Sequence, residues 1–168
     1  MKAAPPAGRC CAGVLRSRLT VAGILATVAV PLALASLASG QAPRGHTCTP
    51  TDRQFIDTAE LNLTAVTLWG GEYTQGAAGA SDVVAQTKDA AARIDALTPT
   101  DPSLQQARHL LGAMFIEYAS AIQLEKRHKL EAGHHMYAAY GLANFAHDVL
   151  TQAEPALAAR GCNVAPLL

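Results

Sequence analysis

Two Glu-x-x-His motifs lie close together in the C-terminal half of the chain. Glu125 and His128 form the first motif, and Glu131 and His134 form the second, with His135 directly after it. Residues three apart share one face of a helix, so a carboxylate and an imidazole at this spacing can bind one metal ion. Imidazole and carboxylate both suit zinc and copper. The motifs therefore predict a candidate metal site of Glu125, His128, His134 and His135.

The paired motifs resemble those of the ferritin-like di-metal carboxylate bundles, in which two helices each carry Glu-x-x-His. The resemblance covers roughly ten residues, and the chain departs from that pattern in three ways. Both motifs flank one turn rather than lying mid-helix, one of them crosses a predicted helix break, and the bridging glutamates are not evident. The family's oxidase and storage activities are therefore not implied. We favour the simpler interpretation, a solvated turn whose basic residues complement a helix end.

Aromatic residues gather toward the same part of the predicted fold and indicate a possible pocket. Its predicted residues are Trp69, Tyr73, Tyr118 and Tyr137. Helical bundles can hold haem or lipids between their helices. Covalent haem is excluded by the lack of Cys-x-x-Cys-His, whereas non-covalent haem needs only His or Met. The alternative, which we favour, is that these aromatics belong to the core. No cofactor is then expected, with zinc, copper or non-covalent haem as alternatives.

Motifs of the common enzyme classes are missing from the sequence. The chain has no Gly-x-Ser-x-Gly elbow, Walker loop, His-Glu-x-x-His or Gly-x-Gly-x-x-Gly. We therefore expect a binding or structural protein rather than an enzyme. A protein-binding role predicts an exposed apolar patch, for which the residues to inspect are Leu130, Met136, Tyr137 and Tyr140.

Residues 1–40 predict a signal peptide. A basic start without acids is followed by an apolar run from Leu19 to Ala38 and by small residues suited to cleavage near Gly40–Gln41. The alternative is an uncleaved anchor, because about twenty apolar residues can span a bilayer. Pro31 and the small residues favour cleavage, and hence a secreted, periplasmic or cell-envelope protein.

Cleavage there would leave 128 of the 168 residues, which suits a single domain. This part holds all thirteen acidic residues but only nine of the thirteen basic ones, a net charge of −4 with His neutral. Nucleic-acid binding needs a basic surface, so that class of partner is excluded. The expected partner is an extracytoplasmic protein or a small ligand, with membrane contact only through an uncleaved leader.

Two cysteines follow the leader, one at each end of the predicted domain. Cys48 precedes the first helical pattern and Cys162 follows the last. Cysteines in an exported chain usually pair, which predicts a disulfide that closes a loop of 115 residues. The alternative is two separate thiols or a pair of metal ligands.

Apolar residues recur at helical spacing, and no segment alternates as a strand would. The pattern predicts an extended segment 41–50, helices over about 52–75, 81–97, 102–129 and 132–154, and a tail 163–168. Asp101 is the expected N-cap of the third helix, and Pro155 should end or kink the fourth. The third turn signal, near 129–133, is weak, so one helix of about fifty residues from Pro102 is the alternative.

Four helices with short connections predict an all-α, antiparallel up-down-up-down bundle over residues 51–162. An even number of helices places both chain ends at one end of the bundle. Cys48 then lies beside Cys162, as a disulfide requires. The helix count and the cysteine positions are separate observations that favour the same topology.

Overall fold

The computed structural model describes residues 47–168, which are all-helical. Four helices, α1 to α4, span Pro50–Thr74, Ala80–Asp95, Pro102–Leu124 and Lys129–Ala159, and a short 3-10 helix follows at Ala165–Leu167. Residues 47–168 contain no strand, and none of their helices is long and apolar enough to cross a membrane. Over these described residues, the predicted all-α fold with four helices is confirmed. The predicted leader, 1–40, and residues 41–46 lie outside the described range.

Side-chain caps set where two of the helices begin. Thr49 Oγ1 accepts the Asp52 N–H at 3.1 Å, and the Asp52 carboxylate accepts the Thr49 N–H at 3.2 Å. This capping box, with Pro50 in the first turn, starts α1 two residues before the predicted position 52. At α3, Asp101 Oδ1 accepts two amides of the first turn at 2.8 and 3.2 Å, in the N-cap role expected of it.

The turn between α3 and α4 lies earlier than the predicted 129–133. Helix α3 ends at Leu124, and the next four residues form the turn. The amides of Arg127 and His128 both donate to the Leu124 carbonyl, at 3.0 and 2.8 Å, and so close the turn. The basic residues Lys126, Arg127 and His128 therefore lie in the turn itself rather than in the last turn of α3, and Lys129 begins α4. The alternative of one continuous helix is wrong.

Helix α4 passes through Pro155 and ends at Ala159, five residues beyond the predicted end at 154. Proline removes one backbone hydrogen bond and crowds the preceding turn. Leu157, two residues later, is fully buried and holds the last turn against the core. Burial of that side chain outweighs the local preference of proline to end a helix.

The chain reverses direction directly after α4. Gly161 has a φ of +82°, which glycine adopts without strain, and its amide donates to the Ala158 carbonyl at 2.9 Å. The Cys162 amide donates to the Leu157 carbonyl, also at 2.9 Å, which completes a Schellman cap. Cys162 thereby reaches Cys48, with the two Cα atoms 5.1 Å apart, and the predicted disulfide is confirmed.

Helix α3 packs along both α2 and α4, and α1 packs mainly against α2. The core between them is closed by large buried side chains that include Phe55, Ile94, Leu104, Phe115 and Leu150. Helices α1 and α4 do not pack directly on each other, because none of their Cα atoms come within 8 Å. The 3-10 helix contacts both of them. One seam of the helical domain, between α1 and α4, is therefore open.

Candidate functional site

A groove follows the open seam, with α1 and α4 as its walls and α3 as its floor. It consists of three neighbouring cavities of about 270, 440 and 510 Å³. Neighbouring cavities share lining residues. The first two share Leu63, Met114 and Ala143, and the last two share Thr74, Tyr118, Met136 and Tyr140. We call this continuous surface the α1–α4 groove.

The middle cavity is largely apolar and has small residues on both walls. Gly70 and Gly71 belong to the α1 wall, and Ala139 and Ala143 belong to the α4 wall. Longer apolar side chains complete the lining: Leu63, Val66, Met114, Phe115 and Met136. Methionine side chains are flexible and polarisable, so this lining can adapt to ligands of different shape.

Tyr118 lies on the floor of the groove, and its hydroxyl rests against α1 at Gly70. A Cβ atom at position 70 would lie 2.5 Å from the Tyr118 hydroxyl oxygen, so the contact requires glycine there. Burial, together with the nearby Tyr140 and Glu125, raises the pKa of Tyr118. The phenol therefore stays protonated at neutral pH and can donate a hydrogen bond to a ligand.

Polar groups concentrate in the third cavity, which we call the open end. Tyr73, in the last turn of α1, donates to Glu125 Oε2 at 2.5 Å, and this hydrogen bond raises the pKa of Tyr73. Tyr118, Lys129 and Tyr140 line the same cavity. One carboxylate, one ammonium group and three phenols therefore surround a space that is otherwise apolar. This combination can hold the polar part of a small molecule by charge, hydrogen bonds and aromatic faces.

Two of the four predicted pocket residues, Tyr73 and Tyr118, line this cavity together. Trp69 is half-buried on α1 and is not among the residues lining it, and Tyr137 is 83 % exposed on α4. Sequence reasoning missed Lys129 as a lining residue. Tyr140 belongs to the aromatic residues that the sequence predicts near this end, and it does line the cavity. Its helical register was the available signal, since Tyr140 lies four residues after Met136 and so shares its face of α4.

The predicted metal residues each face a different partner. Glu125 accepts from Tyr73, His128 Nδ1 lies 4.0 Å from Glu131 Oε2, and His135 Nδ1 lies 2.6 Å from Glu117 Oε2. His134 is exposed. Within residues 47–168, these side chains do not bring three ligand atoms within 4.8 Å of one another. The metal site at these residues stays a prediction.

Potential ligand atoms do meet at the other end of the molecule. Those of Cys48, Asp52 and Cys162 lie within 4.8 Å of one another, a geometry that could hold a metal ion. The two sulfurs are joined in the disulfide, so only the reduced protein offers them as thiolates. The geometry therefore belongs to the reduced form of the protein.

Asp52 is the centre of a buried hydrogen-bond network at this end. Its carboxylate accepts from the Thr100 amide at 2.7 Å, the Thr100 hydroxyl at 2.8 Å and the Asp101 amide at 3.1 Å. Burial opposes ionisation, but the hydrogen bonds from Thr49, Asp101 and Thr100 outweigh it and lower the pKa of Asp52 to about 2. Asp101 in turn pairs with Arg160, next to the disulfide. We call this region the clasp: Cys48, Asp52, Asp101, Arg160 and Cys162.

The predicted apolar patch on α4 divides between the surface and the groove. Leu130 and Tyr137 are 78 % and 83 % exposed. Tyr140, at 66 % exposure, and half-buried Met136 line the groove. Tyr140 and Met136 thus form part of one edge of the groove, whereas Leu130 and Tyr137 lie outside its lining.

No protein-family model matches the chain, and comparison with curated proteins and with solved structures found no similar protein. Function is therefore argued from the groove, its lining residues and the leader pattern.

Proposed function

We propose that the chain is an exported, non-enzymatic binding protein whose α1–α4 groove takes an apolar small molecule. The open seam is the observation that carries this proposal, because α1 and α4 stay more than 8 Å apart at every Cα pair. Ligand sites are commonly clefts of about 300–1,000 Å³, lined mainly by apolar and aromatic side chains with a few polar groups. The cavities of about 440 and 510 Å³ have that size and composition.

Two features support export. Residues 1–40 carry the pattern of a cleavable leader, and disulfides such as the one in the clasp persist mainly in oxidising compartments.

We also infer the up-down-up-down topology. Asp52, near the start of α1, bonds to Thr100 before α3, whereas Tyr73, near the end of α1, bonds to Glu125 after α3. These contacts support a topology in which the α2–α3 connection lies beside the start of α1 and the α3–α4 connection lies beside its end.

A cavity-filling variant tests the groove as the binding surface. The purified protein is titrated with N-phenyl-1-naphthylamine, an uncharged probe that fluoresces in apolar sites, and we expect saturable binding. Ala143 lines both apolar cavities, so the ring introduced by Ala143→Phe fills the space that the probe needs. We expect the variant to lose about ten-fold or more in affinity, equivalent to about 1.4 kcal/mol.

Ala113→Phe is the matched control, because Ala113 is exposed on α3 and lines none of the three cavities. It should bind the probe as the unmodified protein does. Thermal unfolding of both variants checks that they remain folded. Equal affinity in the two variants, or no saturable binding to the unmodified protein, contradicts the proposal.

Metal or haem binding is the second candidate function, and one feature of the groove favours it. The thioethers of Met114 and Met136 line the middle cavity, and thioether sulfur is a ligand for haem iron and for Cu(I). A ligand that binds only the folded state raises the unfolding temperature by mass action. Unfolding is therefore measured with zinc, copper and haem in turn. If one of these ligands raises the unfolding temperature and replacing His128, His134 and His135 with Ala abolishes the rise, the site is assigned to these histidines. If zinc, copper and haem all leave the unfolding temperature unchanged, this candidate is rejected.

A further inference from the structure

The three cavities differ in the groups that line them. The cavity nearest the 3-10 helix is lined mainly by apolar residues, among them Leu63, Leu111, Leu150 and Leu167, with Asn144 and His147 as its polar members. The middle cavity adds Met136 and the phenols of Tyr118 and Tyr140, and the open end adds the charges of Glu125 and Lys129. An amphiphile has the same order of groups, from a hydrocarbon chain to a polar head.

The dimensions of the groove suit a single hydrocarbon chain. Its floor runs along α3 from Leu111 to the end of the helix at Leu124, about 20 Å at a rise of 1.5 Å per residue. Its cavities hold between about 270 and 510 Å³ each. A row of cavities of this size along about 20 Å of α3 can take one extended hydrocarbon chain.

The open end carries one group of each charge. Glu125 accepts one hydrogen bond, from Tyr73, and a carboxylate has room for further partners. The faces of Tyr73, Tyr118 and Tyr140 line the same cavity, and aromatic faces attract ammonium groups. Lys129 supplies a positive charge for an oxyanion. The charges of the lining balance, which matches a head group that itself carries both signs.

We propose that the groove binds a single-chain zwitterionic amphiphile with its hydrocarbon chain toward Leu150 and its head at the open end. The ammonium of the head lies beside Glu125 and the three tyrosines, and its phosphate or carboxylate lies beside Lys129. This inference rests on the proposed function of the groove and specifies its ligand class. The phenols of Tyr118 and Tyr140 supply hydrogen-bond donors where the head joins the chain.

Four decyl compounds test the head group by titration calorimetry on the purified protein, decanol below its solubility limit and the other three below their critical micelle concentrations. They are decanol, decyltrimethylammonium, decyl phosphate and decylphosphocholine. We expect all four to bind, because the chain occupies the apolar cavities. Decylphosphocholine should bind about 25-fold more tightly than decanol, the combined effect of two exposed ion pairs that each contribute about five-fold, or about 1 kcal/mol.

Two charge-neutralising variants assign the two parts of the head. Glu125→Gln keeps an acceptor for the Tyr73 hydroxyl and should weaken only the two compounds that contain ammonium, by about five-fold. Lys129→Gln should weaken only the two that contain phosphate. Glu131→Gln and Lys126→Gln are matched controls on exposed charges that line none of the three cavities, and they should change nothing.

Four outcomes would overturn the inference, and they separate it from the proposed function. If decanol binds as tightly as decylphosphocholine, or if Glu125→Gln weakens all four compounds equally, the zwitterionic head is wrong while the apolar groove stands. If the decyl compounds do not displace the naphthylamine probe, the amphiphile is wrong and the apolar site remains. If neither the probe nor any decyl compound binds, both proposals fail and the groove is left to a protein partner.

Discussion

At the clasp, the start of α1 and the segment before α3 share one buried carboxylate, that of Asp52, and a disulfide ties the residue before α1 to the segment after α4. At the open end, a single hydrogen bond from Tyr73 to Glu125 joins α1 to the turn after α3. The clasp buries its charges and gives them partners. The open end leaves its charges and aromatic rings in contact with a cavity.

The difference shows how a small helical domain can keep an open seam. Separating α1 from α4 leaves apolar surface exposed, and each Å² that stays exposed forgoes roughly 25 cal/mol of stabilisation by burial. A covalent link and a satisfied polar network at one end fix the two helices there, so the opposite end does not need close packing to stay folded. We expect changes at the clasp to affect stability and changes at the open end to affect binding.

Removal of the disulfide should have the largest effect on stability of any change at the clasp. Replacing both Cys48 and Cys162 with Ala frees a loop closed across a separation of 114 residues. Chain entropy then predicts a loss of about 4 kcal/mol in the free energy of unfolding, measured by urea denaturation. Circular dichroism should still show a helical protein, because α3 packs along both α2 and α4 independently of the clasp. An unchanged free energy of unfolding would contradict the role assigned to the clasp.

Asp52→Ala should have the next largest effect, about 3 kcal/mol, because it leaves the buried amide of Asp101 and the partly buried amide of Thr100 without an acceptor. The same residue predicts a pH dependence. Its pKa is about 2 in the folded protein against 3.8 as the ordinary value, so the stabilisation is complete above about pH 4 and disappears as the pH falls toward 2. That shift corresponds to about 2 kcal/mol.

Urea denaturation between pH 2 and pH 6 measures both effects. The Asp52→Ala variant should lose this part of the pH dependence. Asp57→Ala is the control on the same helix, since Asp57 is exposed, and it should leave the free energy of unfolding within about 0.5 kcal/mol of the original. If the two variants behave alike, Asp52 does not hold the start of α1 to the segment before α3.

The smallest effect concerns two neighbouring glycines of the groove wall. Gly71→Ala meets no atom within 4 Å and should stabilise α1 by up to about 1 kcal/mol through helix propensity. Gly70→Ala places its Cβ 2.5 Å from the Tyr118 hydroxyl and must displace that ring, which cancels part of the gain. Combining Gly70→Ala with Tyr118→Phe removes the hydroxyl from this contact and should restore the full gain in stability from helix propensity. Equal stabilisation by the two single variants would show that Tyr118 does not rest against α1.

The sequence predicted the parts of the fold that depend on local patterns. Apolar periodicity identified the four helices, and the positions of Cys48 and Cys162 predicted their pairing. The predicted ends of the helices were less accurate where contacts between distant parts of the chain decide where a helix stops. Leu157 keeps α4 helical beyond Pro155 because its side chain is buried, and burial cannot be read from the proline itself.

The candidate site was predicted only in part, for a related reason. Helical register placed Tyr73 and Tyr118 toward one end, but it could not show that α1 and α4 stay apart, because their separation depends on how all four helices pack. Register also placed Glu125, His128 and His135 near one turn. Their side chains meet different partners in the structure, Glu125 with Tyr73 and His135 with Glu117, and these contacts between helices cannot be read from local spacing.

The sulfur link between residues 48 and 162 turns nearly the whole described chain into a closed ring. A protease that cuts once in any connection between helices would leave two fragments that remain covalently attached. Such a nicked molecule would keep its mass on a non-reducing gel and could still hold its helices together, so survival in a protease-rich environment is a property of the ring rather than of any single loop.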